Sequence, residues 1–382
     1  MNVRMLLNEY VEVYGKSIWT YSTYSANLAR IKNYINPLIG DLELAEVTTL
    51  RIEKYYRELL EYPRVGSGGG NVNPSVIREI HKLLNKAFQR AVVWQLIDRN
   101  PITDAIRPKE TPKKRAIWDI SDINKANELC KDEMLYLAIN LAFTETLREG
   151  ELLALEWSDL HLEGPHPYLT INKIHQRVDI SVLNELKKRD IYRIYPTQKL
   201  NAKSVIVAKK PKTDSSIRNI YIPATIVQKL KARREKYLVE RLQYKAIYMD
   251  YDLVFRNEDG SPMEPSRLRD LFVRFIKEND LPYVCFHSLR HTSITYKLKL
   301  TNGNIKAVQG DSGHSQADMI TDIYSHILDE DRICNANLIE KEFYQGVIPD
   351  KIKVDKSNLE TVLSSDEGKL LTQLMLKLSG FL

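Results

Sequence analysis

Apolar positions recur at three- and four-residue spacing through much of the first hundred residues. They do so over 21–35, 48–61 and 74–97, and Ile77, Ile80, Leu84, Ala87, Phe88 and Ala91 mark one face. Asn73 followed by Pro74 is a start signal, a side-chain cap ahead of a residue with pre-set φ. Residues 65–71, VGSGGGN, read as a loop between helices. This half is predicted to be an all-α bundle over 1–97. Pro101, Pro108 and Pro112 then oppose regular structure, so 98–117 reads as an interdomain linker ending in Lys113, Lys114 and Arg115.

The pattern changes after Trp118. Helices are predicted from Asp119, as N-cap, toward Cys130, then over 133–146 and 149–155. Strand signals follow at 168–174, 204–208 and 217–222. Helices return at about 224–247, 265–279, 288–299, 304–310 and 316–327. The expected architecture is mainly α with a small β-sheet, an α+β domain over 118–333 behind the helical one. In the tail, 334–382, residues 334–344 read as helix and 368–382 place Leu370, Leu371, Leu374, Met375 and Leu378 on one face. That stripe must dock, on its own domain or on a neighbouring protomer.

Composition narrows the function classes. The chain has 382 residues, 43% hydrophobic and 28% charged, ordinary for a globular protein. No apolar run is long enough to span a bilayer, and two Glu interrupt the N-terminus, so neither membrane span nor secretory signal is expected. Cys130, Cys285 and Cys334 are odd in number and form no CxxC, which speaks against a disulfide framework or a zinc site and suits a reducing cytoplasm. Net charge is +6. Residues 1–115 hold 18 Lys and Arg against 12 Asp and Glu, and 186–218 hold ten against two. Two basic regions fit a polyanion gripped from two sides, or a solvated basic surface. The sequence has no GxxxxGK[ST] loop and no cluster of carboxylates for paired metals, so no cofactor and no metal are expected.

Four local motifs stand in order in the second domain: Thr146–Leu155 around Arg148, Lys210–Arg218 around Lys212, His287-Ser-Leu-Arg290, and Gly313-His314-Ser315 followed by Tyr324. Singly each has an ordinary explanation, such as a surface ion pair, a solvated lysine or a core aromatic. Together the set resembles the tyrosine recombinase, or phage integrase, family, including integrases of conjugative transposons and related mobile elements. The resemblance covers about 118–328, and more loosely the helical half, which is similar to that family's core-binding domain.

The resemblance implies a site-specific DNA recombinase. By position Arg148 and Arg290 are its two arginines, Lys212 its hairpin lysine, His287 and His314 its histidines, Tyr324 its nucleophile and Glu151 a supporting acid. Two departures stand out: the family usually has Gly where Thr146 stands, and Leu before the Gly-His-Ser box, here Asp311-Ser312. Residues 178–203 are longer than the family minimum and basic, so they are expected on DNA.

The residue types suit phosphoryl transfer. Two permanently charged guanidiniums stabilise charge building on a phosphate. A tyrosine hydroxyl, ordinarily near pKa ~10, needs cations and a base such as His287. The leaving 5′ oxygen needs an acid, for which Lys212 is the candidate. Lys113, Lys114, Arg115, Lys209, Lys210 and Arg218 are expected to contact DNA. The resemblance further implies a double-stranded DNA partner, a homo-tetramer on that DNA, and an accessory directionality or host DNA-bending factor in a bacterial cytoplasm. Alternatives are a chromosome-dimer resolvase, a type IB topoisomerase, an inactive regulator on the same fold, and a metal-dependent nuclease.

Overall fold

The computed structural model describes residues 1–66, 69–110, 116–197, 201–244, 248–301, 303–313, 339–341 and 369. His314, Tyr324, Lys113–Arg115, the helix expected over 316–327 and nearly all of the tail lie outside these residues.

The helical half is built from four long stretches. Helix α1, Val3–Tyr10, is capped by the Asn2 side chain and runs on through a wide turn to Ile18. Helix α2, Tyr21–Arg30, is likewise prolonged to Ile39. Then come α3, Thr49–Glu61, and α4, Pro74–Val93. Asn73 caps α4 as its sequence signals, accepting the Val76 N–H at 3.1 Å. The 3.6-residue periodicity is explained by one shared core, to which α4 contributes Ile77, Ile80, Leu84, Ala87, Phe88 and Ala91, all fully buried. Ile102 and Ala105, within the proline-rich stretch, are buried in the same core.

The second half opens with Trp118, whose indole N–H donates to the Pro282 carbonyl at 2.8 Å. Helix α5, Ile120–Leu129, is capped by Asp119 as expected. Helix α6, Glu133–Thr144, is apolar on most sides because it sits inside the core, and the short α7 covers Glu149–Leu153. Two antiparallel three-stranded sheets follow. One is ordered β1 (Leu160–His161), β2 (Tyr168–Ile171), β6 (Arg218–Tyr221). The other is ordered β3 (Ile174–Asp179), β5 (Ser204–Lys209), β4 (Ile191–Ile194). A short helix α8, Ile180–Glu185, joins β3 to β4. The remaining helices among the described residues are α9 (Ala224–Tyr244), α10 (Pro265–Glu278), α11 (Ser288–Leu300) and α12 (Ile305–Ser312).

The region 178–203, expected on DNA, has its apolar side elsewhere. Val178, Val182, Leu183 and Leu186 are buried in the core of the helical half, with Val205 and Val207 of β5. The polar rim of this joint is specific. The Tyr21 hydroxyl donates to the Arg189 carbonyl at 2.7 Å. Lys16 pairs with Glu185 at 2.9 Å. The Arg189 guanidinium donates to the carbonyls of Ser17 and Trp19, where the first helical stretch runs out of N–H partners. Lys209, assigned to DNA from its sequence context, is also here: it is 6% exposed, with its ammonium 5.2 Å from the Tyr21 ring centre. Burial pushes its pKa down. The alternation that would turn every second residue of a strand to solvent fails in β5, which is buried from Val205 to Lys209.

Candidate active site

Arg148 is the N-cap residue of α7, and its position depends on the two residues before it. Helix α6 stops at Thr144, and Thr146 turns the chain back with φ 57°, a left-handed conformation that glycine adopts without cost. A β-branched residue there costs on the order of 1–3 kcal/mol and persists only where its surroundings fix it. They do. Thr146 is fully buried, its hydroxyl lies 2.8 Å from that of Ser293, and its carbonyl accepts a hydrogen bond from Arg290. The threonine in the family's glycine position thus adopts a conformation that glycine favours.

Glu151, one turn into α7, is 1% exposed and lies between two arginines. It accepts from Arg148 Nη1 at 2.7 Å and from the Arg148 backbone N–H at 2.9 Å. Arg218, the first residue of β6, donates Nη2 to it at 3.0 Å. Burial would raise the Glu151 pKa, but the Arg218 and Arg148 charges outweigh it and hold the carboxyl below its ordinary value.

Arg290, in the first turn of α11, is 2% exposed. Besides Thr146 it donates to the Ser312 carbonyl at 2.6 Å, so one guanidinium joins the Arg148 turn to the end of α12. Burial, and next the charge of Arg148, push its pKa down. A buried cation beside another cation favours an incoming anion. Arg148 closes the ring, with Nη2 donating to the Gly313 carbonyl at 3.3 Å. Gly313 ends α12 at φ 62°, and a Cβ there would lie 2.9 Å from Arg218 Nη1. Both the backbone conformation and the close approach require glycine at this position.

The structure therefore brings together Arg148, Glu151, Arg290 and the residue preceding His314. His287 is the exposed N-cap residue of α11, one turn before Arg290, its ring edge-on to that of His291 at 5.0 Å. Lys212 is exposed in the turn between β5 and β6 and has no hydrogen bond or ion pair among the described residues. Lys210 is exposed and pairs with Asp214 at 3.1 Å.

Arg218 is placed otherwise than its basic neighbourhood implied. Its side chain is 6% exposed, and besides Glu151 it donates to the carbonyls of Asp311 at 2.7 Å and Ser216 at 2.9 Å. The signal that finds it is strand alternation: Arg218 shares a face with buried Ile220, and an arginine on a core-facing position needs a buried partner. Glu145 escaped the sequence reading. It is 1% exposed, and burial pushes its carboxyl up to about 7, against the nearby charge of Lys297, which itself pairs with Asp311 at 2.5 Å.

Known proteins resemble this chain in sequence and fold. The model described as the phage integrase family matches residues 118–331, and that described as the phage integrase N-terminal SAM-like domain matches 3–60. A tyrosine recombinase XerC-like protein of Caldanaerobacter subterraneus subsp. tengcongensis is 27% identical over 307 residues, which are 78% of this chain and 72% of that protein. The ICEBs1 integrase of Bacillus subtilis is 26% identical over 308 residues, with the same shares. In fold the chain is similar to the Tn1549 transposon integrase in complex with transposon right end DNA, with TM-score 0.64 and 18% identity over 87% of this chain and 100% of that one. It is also similar to lambda integrase in a tetramer bound to a Holliday junction, with TM-score 0.57 and 16% identity over 85% of this chain and 77% of that one. The family match over 118–331 spans more than half of the chain, and the protein is a member of the phage integrase family, a tyrosine-type site-specific DNA recombinase.

Proposed function

We propose that this recombinase cuts and rejoins double-stranded DNA through a 3′-phosphotyrosine at Tyr324, for integration and excision of a mobile element. The observation that carries this reading is the ring of hydrogen bonds by which Arg148 and Arg290, from separate helices, both reach the end of α12 immediately before His314.

In this reading Arg148 and Arg290 hold the non-bridging oxygens of the scissile phosphate, and His314 adds a donor. Such donors are preorganised, which is often the largest catalytic contribution. Arg290 is fixed by two carbonyls before any substrate arrives. Glu151 fixes Arg148. His287 takes the Tyr324 proton, the phenolate oxygen bonds to phosphorus, and the bond from phosphorus to the 5′ oxygen breaks as Lys212 protonates it. The phosphotyrosine keeps the bond energy, so the 5′ hydroxyl of a partner strand reverses the reaction without ATP or metal.

The helical residues 1–97 and the domain 118–333 grip DNA from two sides, with the basic end of 98–117 across the backbone and Lys113, Lys114, Arg115 and Lys210 on phosphates. Four protomers assemble on the DNA, as in the lambda integrase tetramer bound to a Holliday junction. The tail, 334–382, docks on a neighbour, an accessory DNA-bending or directionality factor selects integration or excision, and the protein works in the bacterial cytoplasm. The ICEBs1 integrase and the Tn1549 complex with transposon end DNA favour a mobile element. The XerC-like relative favours a second reading, chromosome-dimer resolution by the same chemistry.

The test is a nicked suicide duplex from sequence beside the gene, incubated in EDTA with wild type and Tyr324→Phe. An SDS-stable protein–DNA adduct with wild type alone supports the mechanism. No adduct on DNA shown to be bound overturns it. Cleavage of a chromosomal dimer site in preference to the flanking site selects the second reading.

A further inference from the structure

The proposed chemistry uses two arginines, Arg148 and Arg290, yet the site holds a third that pairs with Glu151. The third, Arg218, comes from the strand that follows the Lys212 turn, and its guanidinium is spent entirely on protein: Glu151, the Ser216 carbonyl and the Asp311 carbonyl. Charge explains why it is there. Arg148 and Glu151 alone are a closely paired cation and anion at 2.7 Å, and such a pair presents no net charge to a phosphate. Adding Arg218 at 3.0 Å from the other carboxylate oxygen leaves the three side chains with one net positive charge. Exposure decides where that charge shows. The side chains of Glu151 and Arg218 are 1% and 6% exposed, whereas that of Arg148 is 33% exposed. The surplus is therefore presented to solvent through Arg148.

We propose that Arg218 is a positioning residue of the recombinase site. It neutralises Glu151 so that Arg148 keeps its charge for the scissile phosphate, and it fastens the end of α12 ahead of His314. The second role rests on the Asp311 carbonyl and on the packing of the guanidinium against Gly313, where even a methyl group would collide with it. One buried side chain thus sets both the electrostatics of the first arginine and the location of the glycine turn. This inference rests on the recombinase reading and adds a residue to it.

The experiment times covalent adduct formation on the nicked suicide duplex for wild type, R218K, R218Q and the double variant E151Q/R218Q, with DNA affinity measured across a salt series. R218Q should be slower by roughly tenfold to a hundredfold, the scale of losses from a misplaced catalytic group. R218K should keep most of the rate. E151Q/R218Q should be faster than R218Q, because removing the carboxylate releases Arg148 again. Affinity and salt slope should stay at wild-type values. A methylphosphonate at the scissile position replaces one non-bridging oxygen by a methyl group and is neutral, so the R218Q deficit should shrink on it, whereas a folding defect would persist on both substrates. Should R218Q not fold, R218K carries the same comparison, and its smaller deficit must still shrink on methylphosphonate.

A double variant no faster than R218Q, or R218Q at the wild-type rate, overturns the proposal. So does a weaker affinity with the salt slope lowered by about one, the mark of a lost phosphate contact. Wild type that forms no adduct would instead sink the recombinase reading itself.

Discussion

The joint between the two halves and the arginine site both use basic residues from one stretch of sequence, but they use them for opposite ends. At the joint, Arg189 and Lys209 are consumed: one hydrogen-bonds the carbonyls at a helix end, the other lies against a tyrosine ring, and apolar side chains do the holding. At the site, Arg148, Arg218 and Arg290 outnumber Glu151 and leave positive charge unspent. Charge in the joint serves to satisfy buried acceptors, and charge in the site serves to wait for an anion. Substitutions in the first region should therefore register as stability, and in the second as rate.

The largest effect should come from Arg290→Ala, which removes a proposed phosphate donor and the hydrogen bonds to the Thr146 and Ser312 carbonyls. Loss of one such donor slows reactions by roughly 10²–10³, about 3–4 kcal/mol of transition-state stabilisation. Adduct kinetics at saturating protein measure it, and a wild-type rate would break the contrast. Leu183→Ala in the joint should act the other way. Leu183 is buried, and such truncations cost about 2–5 kcal/mol. Urea unfolding should show that loss, while adduct formation in the folded fraction changes little.

Glu145→Gln sharpens the comparison within the site region. Burial raises the Glu145 pKa to about 7 from an ordinary 4.5, so its stabilising protonated form is fully present below pH 4.5 and is lost as pH rises through 7. The wild type should lose up to about 3 kcal/mol over that window. The Gln variant should not, and should be the more stable protein at pH 8. Identical stability–pH curves from pH 5 to 8 would remove Glu145 from the account. The smallest effect is expected for Arg189→Ala. It leaves the Ser17 and Trp19 carbonyls without that donor at a half-buried rim, worth about 1–2 kcal/mol in urea unfolding.

Local information sufficed for most of the described helices and for the family. The periodicity of Pro74–Val93, the Asn73 and Asp119 caps and the order of four motifs are all properties of neighbouring residues, and they are visible before folding. The same local logic missed α8, β4 and the break between β2 and β3; α8 and β4 pack into a core built largely from residues 3–105, remote in sequence. It also read basic residues by sign alone.

The sequence by itself determined most of the described helices and the family, since both are written in spacing and order. Only the tertiary structure decided which cations are spent and which remain. Lys209, Lys210 and Arg218 stand within ten residues of one another, yet one faces a tyrosine ring, one is exposed beside Asp214, and one neutralises Glu151. Whether a charge is available for DNA depends on burial and on the partner it meets, and both come from parts of the chain remote in sequence.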